Sequence, residues 1–401
     1  MASLLPVAEA RRMIVDDLNP VGTEPIKLWD ALGRVLRTDS TARVSHPPAD
    51  VSAMDGYAVR SDDVTAVPKS LHVVGESAAG HPCRIPVNAG EAVRIFTGAF
   101  VPVGADSVVI QEDTTARAES VTLNEAPTRG RHIRRAGQDF KAGDVVLTSP
   151  RRLTARDIGL LSAMNHPRVT VSKRPVIGVI STGDEIVMPG EPIGVGQIVS
   201  ANGPALCAFI AAHGGEAFNL GIVKDDPKAL VRIAEKVRHL DMLVTSGGVS
   251  VGYHDVVKGG LTSAGFKAAF HKIAMRPGKP LLYGRLHDLP VMGLPGNPVS
   301  AMVCAVLFLG AALAKLQGLA GDPPQRVSAR LATDLNANDS RTDHIRATIG
   351  LGPDGIPVVT PFAKQDSAML ANFARADVLI VREPGAPAAQ KGQMVFVIPL
   401  S

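Results

Sequence analysis

Three stretches of the chain share one pattern, in which a short apolar run leads into small, flexible residues and then into the start of a helix. They run from Val176 to Glu185, from Met242 to Gly248 and from Val291 to Pro298. Short apolar runs that alternate with helical segments are typical of buried parallel strands. In an open parallel sheet the turns after such strands collect at one edge, where ligands bind. The pattern therefore predicts a doubly wound parallel sheet with a ligand site at the carboxyl ends of its strands.

Changes in pattern along the 401 residues indicate several domains. Residues 46–145 hold short β-like runs between turn residues, 175–323 alternate strands and helices, and 324–401 are strand-like again. The segment 28–36 has mixed helical spacing, and Thr154 is a possible cap for a helix from about residue 151. We predict four domains: a helical N-terminal and linking domain (1–45 with 146–174), a β-rich insertion domain (46–145), an α/β domain (175–323) and a small C-terminal β-barrel (324–401).

Composition excludes several classes of protein. With 42 basic and 38 acidic residues the net charge is only +4, which gives no support for nucleic-acid binding. Cys83, Cys207 and Cys304 lie far apart, which disfavours a disulfide framework or zinc site and fits a reducing compartment. The apolar run 301–314 is shorter than the ~20 residues needed to span a bilayer, and the N-terminus resembles an amphipathic helix more than a signal peptide. We therefore expect a cytoplasmic protein without a membrane segment.

The second and third turns of the pattern suit phosphate binding. Ser246, Gly247 and Gly248 let the backbone approach a ligand closely, and Ser250 and Asp255 further on can both bind a phosphate–metal assembly.

In the third turn, which reads GLPGNPVS from Gly293, Asn297 suits a helix cap and Pro298 the first helical position. Free N–H groups at a helix start attract anions. The same residues also suit a capped core helix without any ligand, and the sequence leaves both interpretations open.

Two further stretches carry charges that suit a metal or an oxyanion. Asp184 and Glu185 follow a strand and suit Mg²⁺ shared with a phosphate, although acidic residues also favour an ordinary helix start. Arg276 and Lys279 lie in the proline-stiffened stretch RPGKP and suit an oxyanion such as molybdate, or form a solvated basic turn. No GxxxxGK[ST] motif is present, which disfavours a P-loop ATPase.

The β-rich insertion holds three polar residues in turn-like motifs. Asp55 lies in SAMDGYAV, Thr97 in RIFTGA and Asp139 in GQD. Their residue types predict a polar role without specifying the chemistry.

Six motifs in order resemble those of the MoeA-type molybdopterin molybdenumtransferases, which are related to the C-terminal domain of gephyrin. They cover about residues 50 to 370 and comprise SAMDGYAV from Ser52, RIFTGA from Arg94, STGDE from Ser181, SGGVSVG from Ser246, RPGKP from Arg276 and GLPGNPVSA from Gly293.

The resemblance implies an enzyme that inserts molybdate into adenylylated molybdopterin with Mg²⁺, releasing AMP and molybdenum cofactor. It further implies an elongated homodimer of four-domain subunits. Each cleft would lie between the parallel-sheet domain of one subunit and the β-rich insertion of the other. Partners would include other proteins of molybdenum cofactor biosynthesis and apo-molybdoenzymes, but no nucleic acid and no membrane.

The resemblance also assigns residues to roles. The implied catalytic residues are Asp55, Thr97, Asp139, Glu185, Asp255 and Lys279. The implied metal ligands are Asp184, Glu185 and Asp255, with Asp225 and Asp226 as weaker candidates. The implied substrate-binding residues are Ser246, Gly247, Gly248, Ser250, Pro295, Gly296, Asn297, Pro298, Arg276, Ser300, Arg346 and Ser367.

Three positions depart from the family pattern. Arg276 stands where the family more often has Lys, and a planar guanidinium binds anions with a different geometry from an ammonium. The usual QGS reads QDS here, so that Asp366 adds a negative charge beside Ser367. GED has become GQD at Gln138, although Asp139 is retained.

Two alternatives keep the same fold. The first is a non-catalytic dimeric scaffold of the gephyrin type, against which the retained Asp184, Glu185, Asp255 and Lys279 argue. The second is a molybdopterin adenylyltransferase, against which the insertion and the last domain argue.

Overall fold

A computed structural model describes residues 4–224, 237, 239–248, 262 and 265–400. The chain forms two compact units, Met1–Glu24 with Ser172–Ser401 and Pro25–Val171. Each unit has hydrophobic cores of its own. The α-helices of the described residues are α1 (Val7–Asp17), α2 (Ala155–Ala163), α3 (Asn202–Ala212), α4 (Pro298–Leu316) and α5 (Leu370–Ala374).

The unit Pro25–Val171 is built mainly from short strands. They are β1 (Thr23–Lys27), β2 (Val35–Leu36), β3 (Ser40–Thr41), β4 (Val51–Ser52), β5 (Gly56–Val59), β6 (Lys69–Ser77), β7 (Glu91–Ile95), β8 (Ser107–Ile110), β9 (Thr114–Arg117), β10 (Ser120–Leu123), β11 (Ile133–Arg134), β12 (Val145–Leu147), β13 (Arg151–Arg152) and β14 (Arg168–Ser172). A six-stranded sheet has the order β8-β5-β7-β6-β10-β9. It confirms the predicted β-rich insertion, whose turn residues interrupt the chain too often for helices to form.

A four-stranded sheet, β1-β14-β2-β13, lies where a helical domain was predicted. The helical expectation for residues 28–36 is wrong. Only Leu28–Asp30 forms a 3₁₀ turn, and Gly33 (φ 73°) then redirects the chain into β2. The predicted cap at Thr154 is confirmed, because its side chain accepts from the Asp157 N–H while the Asp157 carboxylate accepts from the Thr154 N–H. This capping box satisfies two N–H groups that the start of α2 would otherwise leave unpaired.

The second unit contains the predicted parallel sheet. Its strands in this part of the chain are β15 (Val176–Thr182), β16 (Ile186–Val187), β17 (Ile198–Val199), β18 (Glu216–Val223), β19 (Met242–Ser246), β20 (Phe266–His271), β21 (Met275–Arg276), β22 (Leu282–Leu286) and β23 (Leu289–Leu294). The sheet order is β18-β15-β19-β23-β22-β20, and the first four strands are parallel. Leu243 and Val244 are both buried but belong to different cores, as expected for a sheet covered on both faces.

Helix α4 follows β23 and forms much of the larger core. By length and composition it alone among the described helices could cross a bilayer, with a mean hydropathy of 2.2. However, 72% of the most apolar stretch of this helix is buried inside the fold. There Val303, Phe308 and Leu313 pack against strands and other helices. The burial accounts for its apolar composition and agrees with the prediction of a core helix.

The last five strands form the predicted small barrel. They are β24 (Val327–Leu331), β25 (Thr342–Leu351), β26 (Pro357–Pro361), β27 (Val378–Arg382) and β28 (Met394–Pro399). The order β25-β26-β24-β28-β27 is closed by pairing of β27 with β25, which leaves no open edge in the ring. The short strand β21 adds to β25 in parallel and links the barrel to the segment that carries Arg276.

Helix α1 belongs to the unit of the parallel sheet. Ala10 and Ile14 are fully buried in its larger core. The Asp17 carboxylate accepts hydrogen bonds from the Tyr283 hydroxyl (2.8 Å) and from Arg285 Nε (2.9 Å). The boundaries of the four predicted domains stay a prediction.

Candidate active site

A cleft of about 650 Å³ lies at the carboxyl ends of β15, β19 and β23. Its lining comes from the three turns that share the strand–turn–helix pattern and from the start of α3. The predicted residues that line it are Glu185, Ser246, Gly247, Gly248, Pro295, Gly296, Asn297, Pro298 and Ser300, and Ser181 and Thr182 of the STGDE motif line it as well. The volume falls in the usual range for small-molecule sites.

The cleft contains several buried hydroxyl groups. Ser181, Thr182, Ser246 and Ser300 are each at most 4% exposed. The Ser246 hydroxyl accepts from Asn202 Nδ2 (2.7 Å) and donates weakly to the Pro295 carbonyl (3.4 Å). These groups are uncharged, so they can contact a phosphorylated ligand without repelling it.

Gly247 allows two strand ends to meet at this cleft. Its φ of 93° is unfavourable for any other residue, and an added Cβ would come within 2.4 Å of the Thr182 carbonyl oxygen. Its N–H donates to the Leu294 carbonyl (3.2 Å), which joins the end of β19 to the end of β23. The predicted close approach of the backbone therefore occurs at Gly247. The groups that it approaches are the Thr182 and Leu294 carbonyls of the protein.

The start of α4 agrees only in part with its prediction. Asn297 occupies the cap position and Pro298 follows it, but the Asn297 side chain makes no capping hydrogen bond. It donates instead to the Ser367 hydroxyl (2.8 Å), while the Val299 N–H donates to the Ser367 carbonyl (3.1 Å). Ser367 thus satisfies one N–H of the helix start and ties the loop before α5 to it.

The two neighbouring carboxylates after β15 face different cavities. Glu185 lines the cleft, whereas Asp184 lines an adjacent pocket together with Glu191 and Lys224. In the described part of the chain, no three His, Cys, Asp or Glu side chains are grouped so as to hold a metal ion. Four predicted residues, Asp225, Asp226, Ser250 and Asp255, lie outside the described residues.

The two cations of the RPGKP stretch differ in their partners. Lys279 is exposed, and no carboxylate of the described residues pairs with its ammonium group; the neighbouring Pro280 lines the cleft. Arg276 donates to Asp343 Oδ2, and its Nη1 lies 3.6 Å from Asp339 Oδ2. The bond to Asp343 raises the pKa of Arg276. The side chain lines a separate barrel pocket of about 450 Å³.

Arg346 is buried beneath the loop that carries Ser367. Arg346 is 1% exposed, and its Nη2 donates to the Asp366 carbonyl (3.2 Å). Its Nε has no hydrogen-bond partner within the described structure. Burial lowers the pKa of Arg346. The Asp366 carboxylate is exposed and accepts the Ala368 N–H (2.8 Å). Ala368 lines the cleft but Arg346 does not.

In the other unit, Asp55 and Thr97 form a direct pair. Asp55 Oδ1 accepts from the Thr97 N–H (2.7 Å) and from the Thr97 hydroxyl (2.8 Å). These two hydrogen bonds lower the pKa of Asp55, the one from the backbone contributing most. The carboxylate is therefore ionised and held in a fixed orientation at the surface.

Asp139 lines a pocket of about 550 Å³ within the same unit. The pocket is lined by His46, Pro47, Pro48, Val51, Gly98, Phe100, Arg134, Gln138 and Asp139. The Asp139 N–H donates to the His46 carbonyl (3.0 Å). Gly98 follows Thr97 in the sequence, so this pocket lies beside the Asp55–Thr97 pair.

Sequence reasoning missed Asn202, which lies at the start of α3. Its Nδ2 donates both to the Ser246 hydroxyl and to the Gly296 carbonyl, each at 2.7 Å, and it lines the cleft. The available signal was an Asn followed by Gly203 and Pro204 at a helix start. Sequence pattern alone predicts a helix from about residue 198 to 213, but Ile198–Val199 forms strand β17, which pairs with β16, and the helix begins only at Asn202.

Comparison with known proteins gives a consistent picture across the chain. Three family models match: the MoeA N-terminal region (domain I and II) at residues 5–165, a probable molybdopterin binding domain at 178–315 and the MoeA C-terminal region (domain IV) at 328–400.

Two relatives named molybdopterin molybdenumtransferase match over nearly their full length. One from a Nostoc species is 37% identical over 94% of this chain and 89% of its own length. One from Haemophilus influenzae is 34% identical over 99% of both chains. A crystal structure of the molybdopterin biosynthesis MoeA protein from Pyrococcus horikoshii has a TM-score of 0.86 at 28% identity, covering 99% of this chain and all of that one. The chain therefore belongs to the MoeA family of molybdopterin molybdenumtransferases.

Proposed function

We propose that this protein inserts molybdate into adenylylated molybdopterin, releasing AMP and molybdenum cofactor. The observation that carries the proposal is the strand-end cleft, in a chain that matches transferases of that name over nearly its whole length. A cleft of this volume can hold a pterin joined to a nucleotide through a diphosphate.

The substrate-binding role falls to the turns of the cleft. Ser246, Gly247 and Gly248 offer hydroxyl and main-chain groups, and residues 295–298 offer main-chain groups and the Asn297 amide. Ser250 follows the Ser246 turn in the sequence. Ser300 is buried at the start of α4, where helix N–H groups and the helix dipole favour negative charge. Together these groups would hold the diphosphate of the substrate.

Lys279 is the best candidate for holding molybdate. A dianion is bound strongly by a cation that has no competing carboxylate, and Lys279 meets that condition among the described residues. Arg276, Arg346 and Ser367 remain candidates, but each already bonds to a protein group that it would have to share. Their contribution would therefore be smaller than that of Lys279.

Glu185 offers one hard oxygen ligand that fits Mg²⁺. Mg²⁺ is usually held by one or two carboxylates together with substrate phosphates and water, so a full protein cage is not needed. Asp184, Asp225, Asp226 and Asp255 are the further candidate ligands. When bound, the ion would neutralise charge on the phosphates as the bond to AMP breaks.

Asp55, Thr97 and Asp139 are the candidate catalytic residues of the β-rich unit. We infer that they act on the substrate held by the other subunit of a homodimer. Asp55 is ionised and half-buried, and it lines none of the four cavities described above, which supports this inference. Light scattering at micromolar concentration should give the mass of a dimer, and a fully active monomer would contradict the proposal.

The cellular setting follows from the same reaction. We propose a cytoplasmic enzyme that receives its substrate from other proteins of molybdenum cofactor biosynthesis and delivers its product to apo-molybdoenzymes.

The decisive experiment supplies the purified protein with adenylylated molybdopterin, molybdate and Mg²⁺. AMP release that depends on molybdate and on Mg²⁺, followed by reconstitution of an apo-molybdoenzyme, is the expected result. Adenylylation of molybdopterin from ATP would instead identify an adenylyltransferase. A dimer that binds the substrate without releasing AMP would indicate a scaffold.

A further inference from the structure

Asn202 connects three elements that form the floor of the cleft. It begins α3, and its Nδ2 donates to Ser246 Oγ at the end of β19 and to the Gly296 carbonyl in the turn after β23, each at 2.7 Å. The side chain is half-buried and lines the cleft. Two short hydrogen bonds from one nitrogen hold the amide in a single orientation.

The chemistry of Gly296 fixes which amide atom faces it. A carbonyl oxygen only accepts hydrogen bonds, so the atom 2.7 Å away must be the nitrogen of Asn202. The amide oxygen Oδ1 must then lie on the other side of the amide plane. Within the described part of the chain, no donor hydrogen-bonds to this oxygen. The cleft thus contains a fixed acceptor with unused capacity.

We propose that Asn202 Oδ1 accepts a hydrogen bond from an N–H or O–H group of the bound substrate. The inference rests on the proposed function, in which the substrate is adenylylated molybdopterin. That molecule carries donors on its pterin ring and on its ribose. Its ionised phosphates are acceptors, as is molybdate, so neither can bind Oδ1.

The fixed amide would add to specificity as well as affinity. A ligand that binds a side chain already held in place loses less side-chain entropy on binding. A buried acceptor left without a donor costs free energy, so a ligand with an acceptor at this point would bind poorly. Asn202 therefore favours ligands that present a donor between the ends of β19 and β23.

The test compares Asn202→Ala with the unchanged protein in two titrations. Direct binding of adenylylated molybdopterin should weaken about five- to tenfold, the usual effect of one neutral hydrogen bond. The molybdate concentration that gives half-maximal AMP release, at saturating pterin substrate, should stay the same. Asn219→Ala is the matched control, because Asn219 lies on β18, its side chain hydrogen-bonds only to the Gly221 N–H among the described residues, and it does not line the cleft. Asn219→Ala should change neither titration.

A purely structural role for Asn202 predicts a different result. Loosening the 295–298 turn would also disturb the hydrogen bond from Asn297 to Ser367, one of the candidate molybdate-binding residues, so the molybdate dependence would shift together with substrate binding. That joint shift, or unchanged substrate binding in Asn202→Ala, would overturn the inference. If the alanine variant does not fold, Asn202→Ser provides the same comparison, because its hydroxyl is too short to reach the position of Oδ1. Failure of the unchanged protein to bind adenylylated molybdopterin would overturn the proposed function together with this inference.

Discussion

The strand-end cleft and the Asp55–Thr97 site use opposite kinds of polar group. Most of the polar groups that line the cleft are hydroxyls, two side-chain amides and main-chain atoms, with Glu185 as a carboxylate. The Asp55–Thr97 site instead presents an ionised carboxylate fixed by two hydrogen bonds. Neutral groups can hold a polyanion without repelling it, whereas a fixed carboxylate repels anions and can accept a proton or position a reacting group. The contrast indicates a division between binding and reaction.

The strongest test of that division is Asp55→Ala. We expect AMP release to fall by about a hundredfold or more, since removal of a general base commonly has this effect. Binding of adenylylated molybdopterin should change little, and so should the thermal midpoint, because the side chain is only half-buried and its carboxylate bonds to Thr97 alone among the described residues. Asp62→Ala, at an exposed Asp of the same unit, should retain full activity. A midpoint many degrees lower for Asp55→Ala would instead show that Asp55 is structural.

The next test separates the two cations of the RPGKP stretch. Lys279→Ala should raise the molybdate requirement about ten- to a hundredfold, the effect of one charge-assisted contact, and leave substrate binding nearly intact. Arg276→Lys should be tolerated, because a lysine keeps a positive charge beside Asp343. Lys267→Ala, at an exposed lysine on β20, is the control. If Lys279→Ala weakens substrate binding and leaves the molybdate dependence unchanged, Lys279 binds the pterin phosphate.

Gly247 in the cleft and Gly98 next to Thr97 should respond differently to substitution by alanine. Gly247→Ala should lower the free energy of unfolding by about 3 kcal/mol, combining a positive φ with a clash against the Thr182 carbonyl. Gly98→Ala, at φ 82° but with nothing within 4 Å of the added Cβ, should cost only about 1 kcal/mol. Urea denaturation measures both. Equal costs would mean that the cleft can relax around a methyl group.

A further expected effect concerns mild acid. Burial lowers the pKa of His344 in the barrel to about 4 from its ordinary 6.5, so the unfolded chain binds a proton that the folded chain does not. The contribution of neutral His344 to the free energy of unfolding is fully present above pH 6.5 and is lost as the pH falls from 6.5 to 4. The loss between pH 7 and pH 5 is about 2 kcal/mol. The lowered pKa of Asp55 has no effect in this range, since its contribution is lost only below its ordinary value of 3.8.

Chemical denaturation of the protein at pH 7 and pH 5 measures this change. In His344→Gln, which does not titrate, the free energy of unfolding should depend less on pH. An equal dependence in both proteins would mean that another group is responsible.

Sequence reasoning succeeded where local pattern decides the outcome. The apolar run of β19, the turn at Ser246 and the capping box at Thr154 each depend on neighbours a few residues away. The same reasoning identified the cap position at Asn297 but not its bond to Ser367, which comes from 70 residues further along. Likewise, nothing near Arg276 in the sequence reveals Asp343 as its partner.

Two further features were not anticipated from the sequence, and both have local causes. Asp184 and Glu185 are consecutive, and in a turn their side chains reach separate cavities, which composition alone does not show. The helical spacing of residues 28–36 was overridden by pairing of β2 with β13 and β14, because tertiary context outweighs weak helical propensity.

The position of α1 has a consequence for how the chain is synthesised. The Asp17 carboxylate at the end of this helix is bound by Tyr283 and Arg285, which are translated 266 and 268 positions later. An isolated helix of 11 residues is only marginally stable in water. The intervening unit Pro25–Val171 has its own cores and can fold while the rest is still being made. The apolar face of α1 therefore stays exposed until Tyr283 and Arg285 have been translated.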